Sequence, residues 1–145
     1  MGQPSQNRMT DVPRVAKAGF VYFLLVFVAG VVLGVFRELW AKNMVGARAA
    51  ETAEVPIMVG TAALAALWVV RRFDLRRSLP QRLGVGSIAL LLLILAELLI
   101  VSAVRGQSLE QYVETRDAVA FPAYLVGLLC FALMPALVSG TLRSR

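Results

Sequence analysis

The sequence contains no histidine and only one cysteine, Cys130, among its 145 residues. Without histidine, the chain cannot ligate haem or zinc through an imidazole, and it cannot build a serine–histidine hydrolase site. A single cysteine provides neither an intramolecular disulfide nor a CxxC redox pair. We therefore expect a protein without enzymatic activity, cofactor or bound metal.

Charged residues are also scarce. They make up 17% of the chain, whereas hydrophobic residues make up 59%, and the mean hydropathy is +0.73. The apolar residues form long unbroken blocks, not the alternating patterns that build the core of a soluble domain. This composition predicts an integral membrane protein whose main partner is the lipid bilayer.

Four apolar blocks predict an all-α membrane bundle of four transmembrane helices. Each block, extended where necessary by flanking residues, approaches the ~20 residues needed to cross a bilayer. Pro56 either kinks the second helix or starts a new one. A short amphipathic helix is expected between the third and fourth helices. The predicted segments are a cytoplasmic tail at 1–17, a membrane domain at 18–142 with helices at 18–37, 52–71, 84–104 and 119–138, and a cytoplasmic end at 143–145.

Basic residues lie at the ends of the apolar blocks, where topology determinants are found. Ten arginines and lysines fall in the tail, the loop at 71–83 and the C-terminus, and five fall in the other two loops. This bias predicts that both termini lie in the cytoplasm. Arginine outnumbers lysine thirteen to two, which is typical of a GC-rich bacterial genome, so we expect a bacterial inner-membrane protein. The net charge of +6 therefore indicates membrane topology, and we expect no nucleic-acid partner.

Glu97 is the only charged residue inside the third apolar block. Its helical neighbours Leu93, Ile94, Ile100 and Val101 are aliphatic, so no group on its own face can satisfy a carboxylate. An ionisable group at this depth either has a function or forms a structural ion pair between helices. In both cases its side chain should face the bundle interior.

Arg37, at the end of the first helix, is the expected partner of Glu97, because a long arginine side chain can extend back along its helix. The alternative is that Arg37 only anchors the helix end at the membrane interface. Gly30 and Gly34 lie on nearly the same face as Arg37 and form a GxxxG pair. Such a pair allows a second helix to approach closely.

Glu51 and Glu54 share one helix face that continues through Met58 to Ala62. This carboxylate pair could form a vestibule for a cation, a proton or a cationic substrate together with Glu97. Alternatively, both acids form ordinary salt bridges with nearby basic residues such as Arg37. Ala62 belongs to a small-residue surface suited to helix packing.

Aromatic residues near the block ends, including Tyr22, are typical of the belt at a membrane–water interface. Cys130 is flanked by Leu129 and Phe131 and is interpreted as a small packed residue.

The segment from Arg37 to Met58 resembles a pattern found in a known group of membrane proteins. It reads Arg37-Glu-Leu-Trp40, then Gly46, then Glu51-x-x-Glu54-x-Pro56-x-Met58. This pattern resembles small four-helix bacterial inner-membrane proteins of uncharacterised function. The resemblance implies the same architecture and no particular activity. By size the chain is also similar to the small multidrug-resistance exporters, but their key glutamate lies in the first helix, and here no acid precedes Glu38 in the first block.

The favoured hypothesis from the sequence is a non-enzymatic protein that acts through helix packing, as a homo-oligomer or as an accessory subunit of a membrane complex. The alternative is a small oligomeric transporter or channel that uses Glu97 together with Arg37. A membrane enzyme is the third choice.

Overall fold

The chain is described here from a computed structural model covering residues 6–75, 78–106, 110 and 120–138. The prediction of an all-helical chain is confirmed, and no strand occurs among these residues. The elements are α1 (Gln6–Phe36), a π-helical turn (Arg37–Ala41), α2 (Lys42–Val45), α3 (Ala47–Arg72), α4 (Leu79–Ile100), a second π-helical turn (Val101–Arg105) and α5 (Ala120–Leu137).

Among the described residues, three helical stretches are long and apolar enough to cross a membrane: Asp11–Ala41, Ala53–Arg72 and Leu79–Ala103. A shorter apolar helix, Leu125–Leu137, lies within α5. Each stretch overlaps one of the four predicted helices, and the first three have the length to span a bilayer. The predicted amphipathic helix between the third and fourth falls on residues that mostly lie outside the described part of the chain.

Three of the long helices begin earlier than the predicted ranges, including α3, which starts at Ala47 instead of residue 52. Helix α1 starts at Gln6, so residues 6–17 of the predicted tail are helical, and α4 starts at Leu79 instead of residue 84. Apolar blocks locate the buried or lipid-facing part of a helix, whereas polar residues with adequate helix propensity extend it further.

Pro56 lies inside α3, which runs without interruption from Ala47 to Arg72. Of the two possibilities for this proline, a single helix is therefore the one observed. A proline within a helix leaves one backbone carbonyl without its usual donor, and the helix otherwise continues.

The four long helices form a bundle in which α1 packs against α3 and α4, and α5 packs against the same two helices. Helices α1 and α5 therefore lie on opposite corners. They meet across the centre through Tyr22, whose ring stacks on Phe131 with centroids 4.8 Å apart. The Tyr22 hydroxyl donates a 2.9 Å hydrogen bond to the carbonyl oxygen of Phe131.

Small residues bring the helices close together around Tyr22. A Cβ on Gly86 would overlap the backbone carbonyl of Ala132 in α5, and one on Gly19 would lie 2.9 Å from Ile88. We call this region the closed end; it is formed by Ala18, Tyr22, Ala66, Val69 and Gly86 with their neighbours. Tyr22 is completely buried here, so its interpretation as an interfacial belt residue is wrong. It acts as the central packing residue of the bundle.

Candidate functional site

A cavity of about 570 Å³ lies at the opposite end of the bundle and is lined by all four long helices. We call this region the open end. Several apolar residues at the cavity are exposed, including Val31, Val55 and Val59 on α1 and α3. The volume falls within the ~300–1,000 Å³ typical of small-molecule sites.

The inner part of the cavity is apolar. Its lining includes Met58 and Ala62 on α3, Leu93 on α4, and Phe131 and Met134 on α5. Phe131 also stacks on Tyr22, so the ring that lines the cavity is fixed by the packing of the closed end. Methionine side chains adapt to ligands of different shape, since they are unbranched and polarisable.

Charged side chains gather in the same cavity. Arg37 Nη1 lies 2.8 Å from Glu54 Oε2, and Arg37 Nη2 lies 3.6 Å from Glu38 Oε1. The Arg37 and Glu54 side chains are only 30% and 20% exposed, so the closer pair is partly shielded from water. Glu97 lines the same cavity from α4. The structure thus places one guanidinium and two carboxylates around a single apolar space.

Both π-helical turns lie at this end. The first begins at Arg37, and the second begins at Val101, whose N–H bonds to the carbonyls of Glu97 and Leu98. A π-turn contains an extra residue relative to an α-helical turn, so it changes the direction of the side chains beside it, and such turns are frequent at functional sites. The first of these turns begins at Arg37, and the second begins one helical turn after Glu97.

The structure brings most of the predicted site residues together. Glu97, Arg37, Glu54, Gly30 and Ala62 all line the cavity. The sequence predicts that Arg37 is the partner of Glu97; the ion pair at this end joins Arg37 to Glu54, and Glu97 lies in the same cavity. The side chain of Glu51 lies outside the described residues, so its predicted role stays a prediction.

The two glycines of the GxxxG pair have different surroundings. A Cβ on Gly30 would contact the Met58 Cε atom at 3.4 Å, so Gly30 serves packing between α1 and α3 within the chain. At Gly34 no described atom lies within 4 Å of that position. Gly34 lines a separate groove of about 430 Å³ on the outside of α1, together with Val31, Val35 and Leu39. Ala62 is buried inside the bundle and therefore also packs within the chain.

Sequence reasoning missed the contribution of α5. Gly127, Cys130, Phe131 and Met134 line the cavity, and their spacing of three and four residues marks one helix face. The spacing was available in the sequence, but α5 is apolar on every side, so no polar–apolar contrast distinguishes this face from the others.

The arrangement suits a ligand that is apolar over most of its surface and carries a positive charge. Among the described residues, the charged ones that line the cavity are the basic Arg37 and the acidic Glu54 and Glu97. This excess of acidic groups favours a monovalent cation, and the apolar lining accommodates the body of the ligand. Comparison with known proteins finds no matching family model, no similar curated protein and no similar solved structure.

Proposed function

We propose that this chain is a multi-pass protein of a bacterial inner membrane that binds a small lipophilic cation in its cavity and carries it across the bilayer. The main observation that supports this proposal is the cavity, in which Arg37, Glu54 and Glu97 line an otherwise apolar space between four helices. This proposal develops the transporter hypothesis that the sequence places second.

Membrane placement is supported by the outer surface of the bundle. Large apolar side chains are exposed on each of the four long helices, among them Val32, Leu64, Leu99 and Leu129. So much exposed apolar surface is suited to lipid and unsuited to water. We propose that α1, α3, α4 and α5 all cross the bilayer, with both termini in the cytoplasm as the distribution of basic residues indicates.

In this orientation the open end faces away from the cytoplasm and the closed end faces toward it. A substrate enters the cavity from the outer side or from the outer leaflet, because exposed lining residues such as Val55 and Val59 lie at the open end. Passage to the other side requires the closed end to open, which separates Tyr22 from Phe131. Transport by alternating access needs this kind of two-sided closure.

Glu97 is the group that we assign to recognition of the cation's charge. Its carboxylate lines the cavity from α4, at the end of the bundle where Arg37 and Glu54 pair at 2.8 Å. A cation that enters the cavity places its positive charge near this carboxylate, in surroundings that are otherwise apolar.

The proposal is tested by titrating the purified protein in a neutral detergent with tetraphenylphosphonium, a lipophilic cation. Tetraphenylborate, which has nearly the same shape and the opposite charge, is the ligand control. We expect the cation to bind at least about tenfold more tightly than the anion, because two of the three described charged residues that line the cavity are acidic.

The matched variants are Glu97→Gln and Asp74→Asn. Each removes one carboxylate, but Asp74 is exposed at the closed end and has a positive φ of 52°, which asparagine tolerates. Glu97→Gln should weaken cation binding at least about tenfold and Asp74→Asn less than about twofold. Equal binding of the two ions, or equal effects of the two variants, would contradict the proposal.

The packing hypothesis remains as a second candidate, and the groove at Gly34 favours it. The groove is apolar and ends at Arg37 and Glu38, one charge of each sign, so a second copy related by a twofold axis would set Arg37 beside the partner copy's acid. Light scattering of the detergent-solubilised protein tests this. A wild-type dimer that becomes monomeric in Gly34→Leu would support the homo-oligomer, whereas a wild-type monomer would contradict it.

A further inference from the structure

Arg82, in the second turn of α4 at the closed end, is only 8% exposed although it carries a full positive charge. From the sequence it counts as one of the basic residues of the loop at 71–83, yet the structure places it inside the helix. Burial of a guanidinium is unfavourable unless its donors are satisfied by acceptors or by an anion.

The side chain of Arg82 folds back toward the start of its helix. Its Nε donates a 3.3 Å hydrogen bond to the carbonyl oxygen of Ser78, the residue that precedes the first turn. Its Nη1 atom is buried and has no hydrogen-bond partner among the described residues. Within the described part of the chain, a charged donor thus lacks an acceptor beside the helix N-terminus.

The N-terminus of α4 provides further donors at the same place. Ser78 has the extended conformation of a capping residue, but no side-chain cap bond is made in the described part of the chain. The N–H groups of Leu79 and Gln81 belong to the first turn, where no helix carbonyl can accept from them. Pro80 lies between them and has no N–H to satisfy. The positive end of the helix dipole adds to this field.

We propose that the Arg82 guanidinium and the first turn of α4 form a binding site for a phosphate group. A guanidinium presents donors in a fork that matches phosphate oxygens, and helix N-termini bind phosphate through backbone N–H groups. The site is separate from the cavity, since Arg82 lies at the other end of the bundle.

The headgroup of an anionic phospholipid is the favoured source of this phosphate, and this part of the inference rests on the proposed membrane placement. Leu79 and Leu83, beside Arg82 in the helix, are exposed and suited to acyl chains. Arg71 and Arg72, exposed in the last turn of α3 at the same end, raise the local concentration of anions. Free inorganic phosphate has the same chemistry and is distinguished by experiment.

The test compares the wild type with Arg82→Gln and with the control Arg72→Gln, which removes an equal charge from an exposed position at the same end. Native mass spectrometry in a neutral detergent measures binding of phosphatidylglycerol and of zwitterionic phosphatidylcholine. The wild type should prefer phosphatidylglycerol, Arg82→Gln should lose affinity for it at least about tenfold, and Arg72→Gln less than about twofold. An equal loss of the preference for phosphatidylglycerol in Arg82→Gln and Arg72→Gln would overturn the proposed phosphate site.

A second arm adds inorganic phosphate and follows the thermal unfolding midpoint. A rise in the wild type that is absent in Arg82→Gln would support the phosphate site with a free anion as its occupant. No effect of either phosphatidylglycerol or phosphate on the wild type would overturn it. If Arg82→Gln does not fold, Arg82→Lys keeps the charge but not the fork, and its affinity for phosphatidylglycerol should be lower than that of the wild type.

Titration of Arg82→Gln with tetraphenylphosphonium separates this inference from the proposed function. The cavity lies at the opposite end, so cation binding should equal that of the wild type. Failure of the phosphate site would leave cation binding unchanged, and failure of the cation site would leave phosphatidylglycerol binding unchanged.

Discussion

The two ends of this bundle pack very differently. Among the described residues, those with no exposed surface belong to the closed end: Ala18, Tyr22, Ala66, Val69, Val70, Leu75, Val85 and Ala89. At the open end the helices surround a cavity, and Val55 beside it is 63% exposed.

Side-chain size and charge account for this difference. Glycine and alanine at the closed end let the backbones approach until Gly86 meets the carbonyl of Ala132. At the open end Arg37, Glu54 and Glu97 need polar partners or water, so the helices cannot close over them with apolar side chains. The closed end is therefore tightly packed, whereas the open end is accessible and carries charged side chains.

The largest expected effect follows from adding a methyl group at the closed end. Gly86→Ala should lower the free energy of unfolding by about 3 kcal/mol, because the new Cβ overlaps the Ala132 carbonyl and the backbones must separate. The control is Gly34→Ala, where no described atom lies within 4 Å. That variant should be neutral or stabilising by up to about 1 kcal/mol, since alanine favours the helix. Denaturant titration in mixed micelles measures both; similar losses would refute the contrast between the two ends.

A pair of alanine substitutions on α3 compares the two ends within one helix. Ala66→Leu, at a fully buried position, should destabilise by about 2 kcal/mol because the closed end has no room for a larger side chain. Ala62→Leu, on the cavity wall, should cost less than about 1 kcal/mol because the new side chain occupies empty space. It should also weaken binding of tetraphenylphosphonium. Equal destabilisation by the two variants would mean that the cavity is not open space in solution.

Breaking the ion pair at the open end should have a moderate effect. Glu54→Gln leaves the partly buried Arg37 without its 2.8 Å partner and should cost about 1 to 2 kcal/mol, less than for a fully buried pair. Glu38→Gln removes the more distant, more exposed acid and should cost under about 0.5 kcal/mol. Thermal unfolding of the two variants side by side gives the difference, and a larger loss for Glu38→Gln would contradict the assignment of Glu54 as the main partner.

The smallest expected effect concerns single hydrogen bonds. Tyr22→Phe keeps the stacked ring but removes the bond to the Phe131 carbonyl, with an expected loss of about 1 kcal/mol. Thr61→Val removes a 2.8 Å bond within α3 to Ile57 at a less buried position and should have almost no effect. If the two variants have equal stability, the Tyr22 hydroxyl contributes nothing to holding the closed end together.

The all-helical fold could be predicted because each long helix contains a long apolar block, as α4 contains most of the block at 84–104. The apolar blocks do not indicate where the helices begin and end. Arg82 precedes the third block, which predicts a loop there, whereas α4 begins at Leu79. Its burial depends on how the neighbouring helices pack against α4, which no local pattern in the sequence encodes.

The charged residues of the candidate site could be predicted because they interrupt apolar sequence. Charges are rare inside apolar helices, so Glu97 stood out, and Arg37 and Glu54 followed from their positions at helix ends. The sequence leaves the pairing of Arg37 with Glu54 as one of two alternatives, and the distance between α1 and α3, which the sequence does not encode, decides in its favour. The face of α5 formed by Cys130 and Met134 carries no charge that would mark it, so it was found only through the cavity.

The single cysteine allows the most direct test, because Cys130 lines the cavity and no other thiol competes. The measurement is the rate at which a cationic, water-soluble methanethiosulfonate reagent modifies Cys130 in the folded protein, with and without tetraphenylphosphonium. We predict modification that the lipophilic cation slows in the wild type and fails to slow in Glu97→Gln. A cysteine that reacts only after unfolding, or a rate on which tetraphenylphosphonium has no effect in the wild type, would contradict an open cavity that binds cations through Glu97.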